Sequence, residues 1–268
     1  MKRRAVRLLA LAFLLLQVLA LGAYANSVPL GTAGNYAVLA GSTVTNTGSS
    51  VLTGDLGVSP GTAVTGFSPG VVGGTMNLGN AAAQTAESDL NTAYNAAAGL
   101  SPTSVLTGKN LGGMTLTPGV YFFSSSAQLT GALTLNNLGN PNALFVFQIG
   151  STLTTASASS VLFSNSLTDP NVYWQVGSSA TLGTTTAFEG NILALSSITL
   201  NTGATIGCGS ALAINGAVTL DSNVIGGGCS SARGGGGGMP TVPEPGTLGL
   251  LGTGLALLAG AARRKMRL

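Results

Sequence analysis

The chain has 268 residues, of which only 6% are charged, 41 are glycine and none is histidine. A helical bundle would need many more charged residues on its solvated faces, and a Ser-His-Asp catalytic arrangement is excluded without histidine. Small polar residues, β-forming residues and frequent glycines favour an all-β protein with repeated tight turns.

Basic residues are concentrated at the two ends of the chain, which accounts for the formal net charge of +3. The terminal segments hold eight of them, namely Lys2, Arg3, Arg4, Arg7, Arg263, Arg264, Lys265 and Arg267. The body between these segments is mildly acidic and has no basic patch. Because phosphate contacts require lysine and arginine, nucleic acid is not expected as a partner.

The N-terminus has the three parts of a secretory signal peptide. Residues Met1–Arg7 are basic, Leu8–Leu21 form an apolar run, and Ala23-Tyr24-Ala25 is a small-x-small cleavage site. We therefore expect residues 1–25 to be a helical export signal that is removed. A permanent membrane anchor is the alternative, although the apolar run is short for a span.

A repeat of Thr-Leu followed by small polar residues runs through the body at intervals of 18–20 residues, with one interval of 29. Its threonines are Thr115, Thr134, Thr152, Thr181, Thr199 and Thr219. This period is typical of a β-solenoid in which each coil stacks on the next about 4.8 Å away. The leucines of the repeat are expected to form one inward-pointing column, with the flanking threonines pointing outward. A β-sandwich with chance similarity between strands is the alternative.

Further apolar runs predict a second inner face, formed by Gly119–Phe123, Leu144–Ile149, Val172–Val176, Ile192–Leu195 and Leu212–Ile214. One segment breaks the pattern, because residues 80–98 are rich in alanine and place Leu90 and Tyr94 on one helical face. Gly99 is the expected stop. We predict one long helix packed along the side of the solenoid, and an N-terminal cap with the first coils over residues 26–72.

Cys208 and Cys229 are the only cysteines. In an exported chain two cysteines are expected to form a disulfide, which here would tie the penultimate coil to the end of the last one. Without histidine or a second cysteine pair, neither a metal nor another cofactor is expected.

The C-terminus mirrors the N-terminus. Residues 233–241 form a glycine-rich linker, and Pro243-Glu244-Pro245 precede an apolar run from Thr247 to Ala262 and a basic end. The run is about the minimum length for a transmembrane helix. The order of these parts over residues 242–268 resembles the PEP-CTERM sorting signal. That resemblance implies passage through the export machinery, recognition by an exosortase at the cell envelope and removal of the tail; a permanent anchor is the alternative.

Five stretches of the body resemble the microbial ice-binding protein family: residues 30–48, 54–61, 116–121, 145–150 and 174–180. The resemblance covers about residues 30–229. It implies a domain over residues 26–232 that folds as a right-handed β-solenoid of roughly triangular section with a long helix alongside. It also implies adsorption to ice through one flat face. No enzymatic activity is expected, because histidine is absent and the carboxylates are scattered along the sequence.

Some members of that family carry a Thr-Ala/Gly-x-Thr/Asn motif on the ice-binding face. Residues 62–65 and 202–205 fit this motif fully, residues 155–158 and 184–187 fit it in part, and Ser222 departs from it. The candidate ice contacts are therefore Thr62, Thr65, Thr155, Ser157, Thr184, Thr186, Thr202, Thr205 and Ser222. Threonines about 6.6 Å apart along a strand and about 4.8 Å apart between coils could order water into an ice-like layer.

Two other functions compete with ice binding. A polysaccharide hydrolase needs paired carboxylates, and Asp55 and Glu189 would qualify only if they lay within about 9 Å of each other in a cleft. A cell-surface adhesin or matrix protein of the same fold would use the flat face to contact extracellular polysaccharide. The sequence favours an exported ice-binding protein over both.

Overall fold

A computed structural model of the chain describes residues 28–140, 142–164 and 171–226. The predicted signal peptide, glycine-rich linker and sorting segment lie outside these residues, as does Cys229. Among the described residues, no helix is both long and apolar enough to cross a membrane.

The described chain is almost entirely β-structure, with a short 3₁₀ turn over Gly31–Asn35 and one α-helix. The strands before the helix are β1 (Tyr36–Ala40), β2 (Thr43–Thr47), β3 (Val51–Leu52), β4 (Asp55–Val58), β5 (Ala63–Thr65), β6 (Val71–Val72) and β7 (Met76–Leu78). The helix is α1 (Ala81–Ala98). The strands after it are β8 (Ser104–Val105), β9 (Thr115–Leu116), β10 (Gly119–Phe123), β11 (Ala127–Leu129), β12 (Ala132–Leu135), β13 (Leu144–Ile149), β14 (Leu153–Thr155), β15 (Ser160–Phe163), β16 (Asn171–Val176), β17 (Ala180–Leu182), β18 (Ala187–Phe188), β19 (Asn191–Ala194), β20 (Ile198–Leu200), β21 (Thr205–Ile206), β22 (Ala211–Ala213), β23 (Val218–Asp221) and β24 (Val224–Ile225).

These strands form three parallel sheets, which we name A, B and C. Sheet A has the order β7-β4-β1-β22-β19-β16-β13-β10-β8, sheet B the order β11-β14-β17-β20-β23-β2-β5, and sheet C the order β6-β3-β24-β21-β18-β15-β12-β9. Most coils contribute one strand to each sheet. The architecture is therefore the predicted solenoid-like stack, and the β-sandwich alternative is wrong.

The coils do not stack in the order of the sequence. The first coil, β1–β3, pairs with the last coil, β22–β24, in all three sheets. Helix α1 follows β7 at one end of sheet A and precedes β8 at the other end. The expectation that each coil stacks on the next is therefore wrong at this junction, because the helix carries the chain back along the stack.

The Thr-Leu repeat does not form a single inner column, contrary to the prediction. Leu182, Leu200 and Leu220 align in sheet B, but Leu116 and Leu135 align in sheet C. The five apolar runs, by contrast, contribute β10, β13, β16, β19 and β22 to sheet A as predicted. Long apolar runs identify one face reliably, whereas a dipeptide repeat recurs on two.

Stacked aromatic rings fill the core under sheet A. Tyr121, Phe147 and Trp174 occupy the same register in adjacent strands. The Phe147 and Trp174 ring centroids are 3.8 Å apart, and the Trp174 and Phe188 centroids are 4.8 Å apart with the rings tilted. The Trp174 Nε1–H donates to the Glu189 carbonyl oxygen at 3.0 Å. These contacts hold the coils in register from inside.

Helix α1 covers the outer face of sheet A, as the sequence predicts. Its first turn is capped by Asn80, whose side chain accepts a hydrogen bond from Ala83 N at 3.0 Å, and Gly99 follows its last residue. Leu90 and the helix alanines pack against Leu39, Leu193 and Leu212 of the sheet. This packing removes sheet A from the surfaces available to a large flat ligand.

The side chain of Gln148 holds the C-terminal end of the helix on sheet A. Its amide donates to the carbonyl oxygens of Ala97 at 2.8 Å, Ala98 at 3.2 Å and Leu100 at 2.8 Å. Helix ends leave carbonyl groups without intrahelical partners, so one buried amide here satisfies several of them.

We expect Gln148→Met to lower the free energy of unfolding by about 1–3 kcal/mol, because it leaves buried carbonyl groups without a donor at nearly constant volume. Gln128→Met, at an exposed position of β11, is the matched control and should have little effect. Chemical denaturation followed by Trp174 fluorescence measures both. Equal stability of the two variants would contradict the assigned role of Gln148.

Glu87 is a buried carboxyl group on the face of α1 that packs against sheet A. Neither carboxylate oxygen has a hydrogen-bond partner among the described residues. Burial raises the pKa of Glu87 to about 8. The folded protein therefore holds this side chain in its neutral form at pH values where an exposed glutamate is ionised.

We predict that the protein loses stability as the pH rises from about 4.5 to about 8. In this window the unfolded chain releases the Glu87 proton and the folded protein retains it, so the free energy of unfolding falls by on the order of 4 kcal/mol. Glu87→Gln should remove most of this dependence, and Glu189, whose pKa is also raised by burial, contributes the rest. Chemical denaturation at pH 5 and pH 8 gives the comparison, and a wild-type protein of equal stability at both values would refute the prediction.

Candidate functional site

The exposed face of sheet B carries a continuous column of threonines, one from each of six adjacent strands. Backbone pairing aligns the second residue of β14 with its counterpart in β17, and the alignment continues through β20, β23, β2 and β5. The residues of this central threonine column are Thr154, Thr181, Thr199, Thr219, Thr45 and Thr65. Inward-pointing neighbours such as Leu153, Leu182 and Val218 are buried, so the column points to solvent.

The hydroxyl groups of the central threonine column make no hydrogen bond to any other described residue. Nothing within the described part of the chain therefore competes with water for them. Coil stacking spaces neighbouring hydroxyls by about 4.8 Å along the column. The column is thus a regular row of paired methyl and hydroxyl groups that are open to water.

A second, flanking column lies two residues before the central column in the chain. It includes Thr152, Ser179 and Ser197, whose side chains form hydrogen bonds to the neighbouring coils. Thr152 Oγ1 donates to Ser126 Oγ at 2.8 Å, and Ser197 Oγ accepts from Ala217 N at 3.2 Å. Ser179 Oγ in turn accepts from Ser197 N at 3.3 Å. These bonds link adjacent coils and stiffen the face beside the central column.

The corner between sheets B and C is built from residues in the left-handed backbone region. Ala158, Thr185, Gly203, Ser222 and Gly48 have φ angles of 56°, 55°, 70°, 54° and 69°. Hydrogen bonds between successive coils connect these positions, for example from Gly203 N to the Asp221 carbonyl at 3.0 Å. A residue in the left-handed region therefore recurs where these five coils turn from sheet B to sheet C.

Two predicted contact residues, Thr155 and Thr186, lie inside this corner and not on the surface. They are 3% and 0% exposed, and their hydroxyl oxygens are 2.8 Å apart. Thr155 Oγ1 also accepts from Gly183 N at 2.8 Å. The expectation that these two residues face ice is wrong, because their hydroxyls satisfy buried backbone groups of the corner.

The other predicted contacts are scattered. Ser157, Thr184, Thr202 and Ser222 are exposed at the corner, and Thr205 lies in β21 of sheet C. Thr62 is exposed just before β5, and of the nine candidates only Thr65 belongs to the central threonine column. The signal for the column was present in the Thr-Leu repeat, which includes Thr181, Thr199 and Thr219.

Asp221 is the one charged residue on the strands of sheet B as described. Thr202 Oγ1 donates a short hydrogen bond to its carboxylate, and Ser222 Oγ donates a second one at 3.2 Å. The hydrogen bond from Thr202 is the main reason that the pKa of Asp221 lies below its ordinary value. The carboxylate is therefore ionised in mildly acidic as well as neutral solution.

Sheet C has a different surface. Val224, Val51 and Val71 align in adjacent strands and are 40%, 39% and 56% exposed. This stripe offers methyl groups without hydroxyls. It lacks the paired groups that distinguish the central threonine column.

The two carboxylates considered for a hydrolase lie far from each other, and each accepts a hydrogen bond from a backbone N–H group. Asp55 begins β4, Glu189 lies just before β19, and two strands of sheet A intervene, which implies about 14 Å between their backbones. Thr75 N donates to Asp55 at 2.7 Å and Cys208 N donates to Glu189 at 2.6 Å. Burial raises the pKa of Glu189, and the bond from Cys208 opposes this. The spacing does not match a glycosidase pair.

Comparison with known proteins gives two family matches. The family described as "Ice-binding-like" matches residues 38–226, and the "PEP-CTERM protein-sorting motif" matches residues 241–265. The first match spans most of the described chain, including all of the central threonine column.

Similar proteins are known from several microorganisms. An ice-binding protein of Nostoc sp. (strain HG1) is 59% identical over 239 residues, which are 89% of this chain and 87% of the relative. The crystal structure of an ice binding protein from an Antarctic biological consortium superimposes with a TM-score of 0.71 at 50% identity, covering 74% of this chain and 90% of that one. A second, from the Antarctic ascomycete Antarctomyces psychrotrophicus, gives a TM-score of 0.70 at 39% identity over 74% and 97%.

The hydrogen bonds at the corner between sheets B and C predict that two adjacent threonines contribute differently to stability. Thr155→Val should lower the free energy of unfolding by about 1–3 kcal/mol, because it leaves the buried Gly183 N without its acceptor and removes the hydrogen bond to the Thr186 hydroxyl. Thr154→Val removes a hydroxyl that bonds only to water, so its effect should stay within about 0.5 kcal/mol. Thermal denaturation of both variants tests this, and a Thr154→Val protein that is the less stable of the two would overturn the assignment.

Proposed function

We propose that this chain, which belongs to the ice-binding-like protein family, is an exported ice-binding protein that adsorbs to ice through the exposed face of sheet B. The observation that carries the proposal is the central threonine column, whose hydroxyls are free for water. Inhibition of ice growth and of ice recrystallisation would follow from adsorption. The relatives support this function, since several are named ice-binding proteins.

The choice of face rests on what covers each sheet. Helix α1 packs over sheet A, and sheet C exposes a valine stripe. Sheet B alone combines exposed methyl groups with unengaged hydroxyls in a repeated array. A methyl group excludes water from its immediate surface, whereas a hydroxyl fixes the position of one water molecule. Alternating them on a fixed grid favours an ordered water layer that can merge with an ice plane.

Rigidity makes this ordering favourable. A surface that is already ordered loses little conformational entropy when it binds. The flanking column is tied between coils by Thr152 and Ser197, and the aromatic stack around Trp174 fixes the register from within. The grid of hydroxyls is therefore in place before ice is met.

Finer features of the fold and of export belong to the same proposal. We infer a right-handed solenoid of roughly triangular section, which is supported by three sheets joined through repeated corners. The sorting-motif match supports export and recognition by an exosortase, with the apolar run after Pro245 as a transient membrane anchor. A disulfide between Cys208 and Cys229 would close the end of the last coil.

The alternative of an adhesin without ice activity is not favoured by the relatives. No observation on the described residues points to polysaccharide as a partner. Aromatic platforms for sugar are missing from sheet B, because its strands contain no aromatic residue in the described chain.

Thr199→Tyr should reduce thermal hysteresis by about an order of magnitude, because a bulky ring in the middle of the column prevents close contact with ice. Thr205→Tyr is the matched control, since Thr205 has a similar exposure but lies on sheet C. Thermal hysteresis and recrystallisation inhibition are measured at equal protein concentration after both variants are shown to be folded.

The Thr205→Tyr control also distinguishes sheet B from sheet C as the surface that contacts ice. If Thr205→Tyr abolishes the activity and Thr199→Tyr retains it, then ice contacts sheet C or its corner. A wild-type protein that neither halts nor shapes growing ice would remove the proposed function itself.

A further inference from the structure

The strands of sheet B carry uncharged side chains within the described chain, with one exception. Asp221 ends β23 on the same side as Thr219, and it is the one charged side chain on the strands of this sheet within the described chain. Its register partner in the coil on one side is Thr47. In the coil on the other side Thr199 pairs with Thr219, and Asn201 follows Thr199 by two residues as Asp221 follows Thr219. The Asn201 side chain can donate and accept hydrogen bonds, whereas an ionised carboxylate can only accept.

Asp221 also changes the hydroxyls around it. Thr202 Oγ1 and Ser222 Oγ both donate to its carboxylate. Their protons are thus committed to the protein, and these hydroxyls can only accept hydrogen bonds from water. The central threonine column, one step inside the face, has no such commitment. The boundary between free and committed hydroxyls therefore runs through Asp221.

The water layer next to ice needs both hydrogen-bond donors and acceptors, and the cluster of Asp221, Thr202 and Ser222 offers only acceptors. Each water in ice donates two hydrogen bonds and accepts two, so a surface that only accepts forces the adjacent waters to turn their protons inward. An ionised group also holds its own hydration shell, which costs free energy to remove. Water beside Asp221 is consequently organised around the carboxylate and does not continue the pattern set by the threonines.

We propose that Asp221 sets the edge of the ice-contact surface, which includes the central threonine column and ends before the corner between sheets B and C. This inference rests on the proposed function and assigns its limit. The exposed corner hydroxyls of Thr202 and Ser222 then belong to a charged rim and are not ice contacts. The contact surface is narrower than the full exposed width of sheet B.

The matched pair Asp221 and Asn201 provides the experiment. Asp221→Asn places at position 221 the residue that stands at the corresponding position of the next coil, two residues after the column threonine, and should raise thermal hysteresis about twofold by extending the ordered surface. The double variant Asp221→Asn with Asn201→Asp restores the composition and net charge of the wild type and moves the carboxylate by one coil. It should return the hysteresis to about the wild-type level or below it.

Two controls isolate the effect. Asp89→Asn removes one negative charge on helix α1, away from sheet B, and should leave the hysteresis unchanged. The melting temperature, followed through Trp174, reports folding for each variant. If Asp221→Asn lowers the melting temperature, a second variant, Asp221→Thr, replaces it. This variant introduces the residue of the register partner Thr47, and it should likewise raise thermal hysteresis.

The outcomes distinguish this inference from the proposed function. If Thr199→Tyr abolishes hysteresis but neither Asp221 variant raises it in a folded protein, the boundary is wrong and the face is retained. A rise in hysteresis that persists in the double variant would also overturn the inference, because the carboxylate would still be on the face. If Thr199→Tyr has no effect, the failure lies with the proposed function.

Discussion

Backbone hydrogen bonds between the first coil and the last coil are the constraint on which the rest of the molecule depends. Gly41 N donates to the Ala213 carbonyl at 2.9 Å, Ser222 N to the Thr47 carbonyl at 2.9 Å, and Val51 N to the Asn223 carbonyl at 2.7 Å, one contact near each sheet. These bonds join residues from opposite ends of the domain. Without them the threonines of β2 and β5 would not continue the column that begins in β14, and the face would be shorter by one third.

The junction between the first and last coils restricts which residues can stand there, because the two coils approach closely. A Cβ atom at Gly41 would lie 2.2 Å from the Ile214 carbonyl oxygen, well inside contact distance. At Gly48 the backbone is in the left-handed region and a Cβ atom would meet Ser222 Oγ at 2.2 Å. Glycine is required at position 41, where the close atoms are backbone, and is favoured at position 48. The two glycines allow the first and last coils to pair, and that pairing completes the face.

The sequence predicts those parts of the fold whose determinants are local. Helix α1 was predicted because its segment is rich in alanine, because Leu90 and Tyr94 share a face and because Gly99 marks its end. Sheet A was predicted because its strands are long apolar runs. The stacking order was not, since pairing of β2 with β23 depends on contacts between residues far apart in the chain, which no local pattern encodes.

The contact face was predicted less well for a related reason. A motif fixes the spacing of its threonines but not the sheet on which they fall. Residues 202–205 begin at the corner and end in β21, so one motif spans two faces. Thr155 and Thr154 are adjacent and chemically identical, yet one is buried with Thr186 and the other is exposed. Only the register of neighbouring coils distinguishes a structural hydroxyl from a surface one.

Register also explains why the polar groups of this protein are arranged so differently on its surfaces. Buried hydroxyls and amides, such as those of Thr186 and Gln148, satisfy backbone groups where coils turn or the helix ends. Those on the flanking column tie one coil to the next. Once the scaffold has been satisfied in this way, the hydroxyls of the central column remain unengaged and their spacing is set by the backbone. A side-chain substitution can remove a group from this grid, but the distances between the groups follow from coil stacking and change only if the stack itself changes.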